Sequence, residues 1–111
     1  MSTWPRLKIK RDQLFFNASR IIQKCRERNI TVTGVTKGLS GHPEYAEILL
    51  NAGCAWLADS RMDNIFHLRN LFPGVSLMLI RIPMPSEIPF LVEYADSSLV
   101  SMKEILPLIE R

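Results

Sequence analysis

Residues 75–82 read VSLMLIRI, a nearly continuous apolar run that ends at Pro83. Such a run predicts a strand of a parallel sheet, packed in the interior of the protein. Shorter apolar or β-branched runs begin near residues 30, 55 and 97, and a stretch with helical spacing follows each of the four runs. Strands that alternate with helices in this way predict an α/β fold built from four parallel βα units.

Two architectures fit four βα units. One is a small doubly wound sheet, and the other is half of an eight-stranded (β/α)8 barrel, which normally needs about 250 residues. The length of 111 residues favours the doubly wound sheet, whereas the apolar strand interior favours the barrel. No linker or low-complexity stretch divides the chain, so we expect a single domain over residues 1–111.

Helix boundaries are marked by turn and capping residues. Pro43 follows His42 where a second helix begins, and Ser60 with Asp63 predicts a capping pair for a third helix. The fourth strand is predicted at 99–100, and a capping box is expected to follow it at 101–104. A first helix precedes the strands, and its predicted buried stripe consists of Leu14, Phe15, Ala18, Ile21, Ile22 and Cys25. The inward residues predicted for the later helices are Ala46, Leu49, Leu50, Ile65, Leu68, Phe72, Phe90, Leu91 and Tyr94.

Composition narrows the classes of partner. The chain has 47% hydrophobic and 23% charged residues, and its 14 Lys and Arg exceed its 11 Asp and Glu by a net charge of +3. This excess of positive charge is too weak to indicate that the chain binds nucleic acid. No apolar run approaches the roughly 18 residues of a membrane span, and no secretory signal is evident, so we expect a cytoplasmic protein. Cys25 and Cys54 lack the spacing of a metal site and are expected to be buried free thiols, and no metal is predicted.

Polar residues follow the predicted strands, and in a parallel sheet those strand ends meet at one edge. Lys37 stands at the end of the first strand, on the face of Thr31, Thr33 and Val35. Partial desolvation there favours the neutral amine, which can attack a carbonyl and form a Schiff base. The alternative is a solvated lysine that extends off the strand.

The other strand ends carry Asp59-Ser-Arg61, Arg81 and Ser101. Arg81 shares a face with the apolar Leu77 and Leu79, so its guanidinium needs an anion. That anion is either Asp59 in a structural ion pair or an oxygen of a cofactor or substrate.

Several blocks of sequence occur together in an order that is specific. They are VTKG at 35–38, GHPE at 41–44, LADSRMDN at 57–64, LIRIPMPSE at 79–87 and YADSSL at 94–99. In these blocks the chain resembles the N-terminal part of the pyridoxal-phosphate-dependent alanine/ornithine racemase family, over about residues 5–105. The resemblance implies the N-terminal half of a (β/α)8 barrel of the alanine racemase type.

The resemblance also implies a site. Lys37 matches the lysine that forms the internal aldimine with pyridoxal 5'-phosphate, and it would serve as one of two proton carriers acting on a free amino acid, a small-molecule substrate. Asp59, Arg61 and Arg81 are expected to contribute to cofactor binding, without individual roles. An inactive pyridoxal-phosphate-binding or interaction module on the same scaffold is the alternative.

The chain is expected to be part of a longer enzyme or a truncated product, and alone to be inactive or nearly so. Its exposed sheet edges predict a homo-oligomer, which sedimentation of the purified chain would test.

Overall fold

The computed structural model describes residues 4–110 as four parallel strands and five helices. The helices are α1 (Arg11–Arg26), α2 (Pro43–Asn51), α3 (Met62–Leu71), α4 (Ile88–Tyr94) and α5 (Leu106–Ile109). The strands are β1 (Thr33–Val35), β2 (Trp56–Asp59), β3 (Ser76–Leu79) and β4 (Ser97–Ser98). Short 3-10 turns lie at Lys37–Leu39, Pro85–Glu87 and Lys103–Ile105. The predicted βα units are therefore confirmed.

The order of the strands decides between the two predicted architectures. They lie in the sheet as β1-β2-β3-β4, and every neighbouring pair is parallel. A doubly wound sheet reverses its strand order at a switch point, and this sheet does not. Strands added one after another on the same side are the arrangement of a (β/α)8 barrel, so the barrel interpretation is the one confirmed.

The two faces of the sheet have different surroundings. On the covered face Gly34, Leu57 and Leu77 are in register, and both leucines are completely buried. A Cβ added at Gly34 would lie 2.9 Å from Cδ1 of Leu49, so this face packs directly against α2. On the opposite side, which we call the open face, Val35 at the end of β1 remains 41% exposed. The main core therefore lies between the covered face and the helices.

Two predicted helical stripes are only partly buried. In α1 Ile22 is 5% exposed, whereas Phe15 and Ile21 are 43% and 57% exposed. In α4 Leu91 is buried but Phe90 is 55% exposed. Each predicted stripe is wider than the surface that its helix buries. For α1 the reason is that it packs mainly on α2. The stripes of α2 and α3 are confirmed, with Ala46, Leu49, Ile65 and Leu68 buried and Leu50 and Phe72 partly buried.

The predicted caps have mixed outcomes. Pro43 is confirmed at the start of α2, and His42 is the N-cap, whose Nδ1 accepts a hydrogen bond from the Glu44 amide at 3.3 Å. The Ser60–Asp63 pair is wrong: Arg61 is the N-cap of α3, without a side-chain capping bond. The capping box at 101–104 is also wrong, because Met102 precedes a 3-10 turn without a side-chain capping bond. In both cases the serine lies one residue before the N-cap position.

The last strand is displaced from its predicted position. β4 comprises Ser97 and Ser98, which pair with Met78 and Leu79, whereas 99–100 lie beyond it. Leu99 donates its amide to the carbonyl of Leu79 at 2.9 Å, just beyond the paired residues. Register with β3 therefore decides the position of this strand, although its residues are less apolar than those that follow.

Both cysteines are free thiols. Cys54 is buried as predicted, and burial raises the pKa of its thiol. Cys25 is only partly buried. Within residues 4–110 no helix combines the length and apolar character needed to cross a bilayer, and no group of three or more potential metal ligands occurs there.

Candidate functional site

The candidate site lies where β1, β2 and β3 end. Lys37 follows β1 directly and begins a 3-10 turn. Its side chain is exposed rather than partly buried as predicted, because the chain leaves the sheet at this residue and the neighbouring Val35 faces open space. Among the described residues the Lys37 amine has neither a hydrogen bond nor an ion pair. It is therefore a free primary amine at the end of a strand.

Asp59 ends β2 and is completely buried. Its Oδ2 accepts a hydrogen bond from Oγ1 of Thr36 at 2.7 Å. Its Oδ1 accepts from the Arg61 amide and from Nδ2 of Asn64, both at 3.0 Å. Alternation along β2 places this carboxylate on the covered face, beside Leu79 in register. Asp59 and Val35 thus lie on opposite faces of the sheet, and the carboxylate oxygens of Asp59 accept hydrogen bonds from three protein donors.

The protein partner of Arg81 is not Asp59, which was one of the two predicted anions. Its Nη1 and Nη2 donate to the two carboxylate oxygens of Glu87 at 2.9 and 2.8 Å, and the Arg81–Asp59 ion pair does not form. Its Nε donates to the Ser60 carbonyl at 2.7 Å, which ties the ends of β2 and β3 together. Asp59 is unavailable to it because the Thr36 and Asn64 side chains already enclose that carboxylate.

The Arg81–Glu87 pair changes the titration of both groups. The hydrogen bond from Arg81 is the main reason that the pKa of Glu87 lies below its ordinary value, and the Met84 amide contributes in the same direction. The hydrogen bond to Glu87 likewise raises the pKa of Arg81. This pair remains charged throughout the neutral range, and its two-point geometry fixes the turn at 85–87.

Arg61 is exposed and has only a long contact to Asp63, 3.8 Å between Nη2 and Oδ2. A shallow depression of about 160 Å³ lies between Arg61, Arg81 and Glu87. Ser101 is exposed beyond β4. The four predicted site residues therefore lie in three places: Lys37 follows the open face, Asp59 is enclosed behind the sheet, and Arg61 with Arg81 borders this depression.

Sequence reasoning missed Thr36, Asn64 and Glu87 as partners of the site residues. Thr36 is fully buried and Asn64 is 8% exposed, although both are polar. The register of β1 with β2 places Thr36 beside Asp59, and this register is a property of the assembled sheet. A possible signal for Glu87 was its spacing of six residues from Arg81 across a proline-rich turn.

No protein-family model matches the chain. The chain is 33% identical over 102 residues to a lysine racemase of Thermotoga maritima, a match that covers 92% of this chain and 29% of the relative. It is 29% identical over 108 residues to an ornithine racemase of Acetoanaerobium sticklandii, covering 97% of this chain and 30% of the relative. The chain thus spans less than a third of the length of these curated relatives.

Solved structures show the same fold. Alanine racemase from E. faecalis superposes with a TM-score of 0.77 at 20% identity, over 93% of this chain and 28% of that one. Alanine racemase from Bacillus anthracis with bound L-Ala-P gives a TM-score of 0.75 at 21% identity, over 94% and 29%. The fold class is therefore the parallel βα barrel of alanine racemases. In sequence the chain is similar to the N-terminal parts of lysine and ornithine racemases, and in fold it matches the N-terminal part of alanine racemases.

Proposed function

We propose that this chain supplies the lysine-bearing N-terminal part of an amino-acid racemase, and that Lys37 is the residue to which pyridoxal 5'-phosphate attaches. The observation that carries the proposal is the position of Lys37 at the end of β1, with its amine unpaired among the described residues. The similarity to lysine and ornithine racemases supports the racemase class.

The residues of the chain fit the cofactor at one point of attachment. A primary amine condenses with an aldehyde carbon with release of one water, and this requires a nitrogen that no carboxylate holds. Lys37 meets the requirement because it is exposed and unpaired within the described chain. When bound, pyridoxal phosphate supplies an electron sink that makes the α-proton of an amino acid acidic. Released from the cofactor, the Lys37 amine would carry that proton on one face of the substrate.

Arg61 and Arg81 differ in how accessible their guanidinium groups are to an anion. Arg81 and Arg61 border a depression to which an anionic group has access, although Glu87 already engages Arg81 through two hydrogen bonds. We propose a phosphate or carboxylate contact first for Arg61, whose guanidinium is exposed. We propose a free amino acid as the substrate class and, because the two curated relatives are named for lysine and ornithine, these two as the first substrates to assay.

The attachment site can be tested on the chain itself. Incubation with pyridoxal phosphate followed by borohydride reduction should label Lys37 in preference to Lys24 and Lys103, and peptide mass spectrometry would measure the ratio. All three lysines are exposed, so differences in accessibility alone do not favour Lys37.

A Lys37→Arg variant serves as the control, because it keeps the positive charge but cannot condense with an aldehyde. Its labelling should fall to the background of the other two lysines. Equal labelling of all three lysines in the unmutated chain would refute the cofactor assignment.

A further inference from the structure

Asp59 is unusual because a completely buried carboxylate has no cationic partner among the described residues. Removing a carboxylate from water is costly unless donors replace its hydration. Here the donors are the hydroxyl of Thr36, the amide of Arg61 and the side-chain amide of Asn64. A carboxylate held by three fixed donors is a rigid point between β1 and α3.

The first of these donors stands next to Lys37 in the chain. Thr36 has its backbone amide bonded to the Ala58 carbonyl at 2.9 Å and its hydroxyl bonded to Asp59. The Thr36 carbonyl accepts from the amides of Leu39 and Gly41 at 3.1 and 3.0 Å. Thr36 therefore fixes the start of the turn that carries Lys37.

The far end of the same turn reaches Asn64, another partner of Asp59. Ser40 and Gly41 adopt left-handed backbone angles, with φ of 51° and 68°. A Cβ added at Gly41 would lie 3.1 Å from Cβ of Asn64, so this glycine lies directly against that side chain. The loop at 37–41 therefore begins at a residue that is hydrogen-bonded to Asp59, and its other end packs against Asn64, a second partner of Asp59.

We propose that Asp59 is a positioning residue for Lys37: from behind the sheet it holds the loop at 37–41 through Thr36 and Asn64, and so sets where the lysine amine projects. This inference rests on the proposed function of Lys37. It replaces direct cofactor contact by Asp59 with an indirect role, because its oxygens are already bonded to protein donors.

The decisive variant is Thr36→Val, which keeps the shape of the side chain and removes only its hydroxyl. Hydrogen exchange of the peptide containing the Leu39 and Gly41 amides should accelerate several-fold, up to about tenfold, as expected for one lost hydrogen bond. In the same variant the excess borohydride-trapped labelling of Lys37 over Lys24 should be lost. Thr36→Ser restores the hydroxyl and should restore both values.

Two further variants keep the test valid if Thr36→Val does not fold. Asp59→Ala removes the acceptor of both the Thr36 hydroxyl and the Asn64 side-chain amide. It should therefore accelerate exchange of the loop. Asn64→Ala removes the opposite support and should accelerate exchange of the loop.

A control separates positioning from general loss of stability. Ile105→Val weakens the core at a buried site in the 3-10 turn at Lys103–Ile105. It should leave the ratio of Lys37 to Lys24 labelling unchanged. Unchanged loop exchange in both Thr36→Val and Asn64→Ala would overturn the inference. If the unmutated chain shows no excess labelling of Lys37, the proposed function fails, while the exchange data still decide whether Asp59 holds the loop.

Discussion

The two faces of the sheet carry different information. On the covered face Leu57, Leu77 and Leu79 are completely buried against helices. On the open face Val35 is 41% exposed, and Lys37 follows it beyond the end of β1. The covered face therefore provides the core, while the end of the open face presents the amine on which the proposed chemistry depends.

The comparison shows that the two faces are connected through polar groups. Asp59 ends β2 and Thr36 follows β1, and the two buried side chains are hydrogen-bonded to each other on the covered face. The loop that bears Lys37 begins directly after Thr36. A residue on one face can thus control what the other face presents.

Self-association through the sheet edges stays a prediction.

The largest expected difference between the faces is in core stability. Leu57→Ala should lower the free energy of unfolding by about 2–5 kcal/mol, because it leaves a cavity among residues that cannot move to fill it. Val35→Ala, on the open face, should cost within about 1 kcal/mol. Urea unfolding followed by circular dichroism would measure both. Similar losses for the two variants would mean that the open face is as well packed as the covered one.

A smaller effect is expected at Arg69, which secures the end of α3 to the strands. Its side chain donates to the carbonyls of Tyr94, Pro73 and Val75 and to Oδ2 of Asp96, over distances of 2.6–3.0 Å. Arg69→Met should cost about 2 kcal/mol, because three carbonyls, two of them in partly buried hydrogen bonds, lose a charged donor.

The matched control for Arg69 is Arg61→Met. Arg61 also belongs to the region of α3, but its ion pair is long and exposed. The expected cost there is within about 0.5 kcal/mol. Equal urea midpoints for the two variants would contradict the structural role of Arg69.

The smallest effect is a loss of stability in acid. The Leu77 amide, followed by Arg69, lowers the pKa of Asp96, and Arg81 lowers that of Glu87. Because both pKa values are lower in the folded state, their contribution is present above the ordinary value near 4 and is lost as the pH falls through the folded value.

Asp96→Asn should make the free energy of unfolding less dependent on pH below about 4, by about 1 kcal/mol or less, since solvent screens this partly exposed group. Asp63→Asn is the control, because the Asp63 side chain is 83% exposed. An unaltered pH profile for Asp96→Asn would show that its bonds to Leu77 and Arg69 are absent in solution.

Elements with strong local patterns could be predicted. The run at 75–82 contains β3, and His42 with Pro43 begins α2, because these signals depend only on neighbours along the chain. The predictions failed where tertiary contacts decide. Ser60 is displaced from the cap because the Arg61 amide bonds to Asp59, and β4 lies at Ser97–Ser98 because its register follows β3.

The candidate site shows the same division. Lys37 could be placed at a strand end from sequence, whereas its exposure could not, because exposure depends on which elements cover a face. The partner of Arg81 was predicted to be Asp59 or a ligand, yet Glu87 holds it. Choosing among carboxylates requires their distances in space.

The order of residues along the chain was enough to determine the βα repeats, most of the buried face of α3 and the position of Lys37 after β1, since hydrophobic spacing and turn residues act over a few neighbours. The tertiary structure alone decided that the strands lie in sequence order, that Asp59 bonds to Thr36 and Asn64, and that Phe15 and Ile21 remain exposed. These properties depend on contacts between segments far apart in the chain. Each such contact forms only where packing and hydrogen-bond geometry are satisfied together.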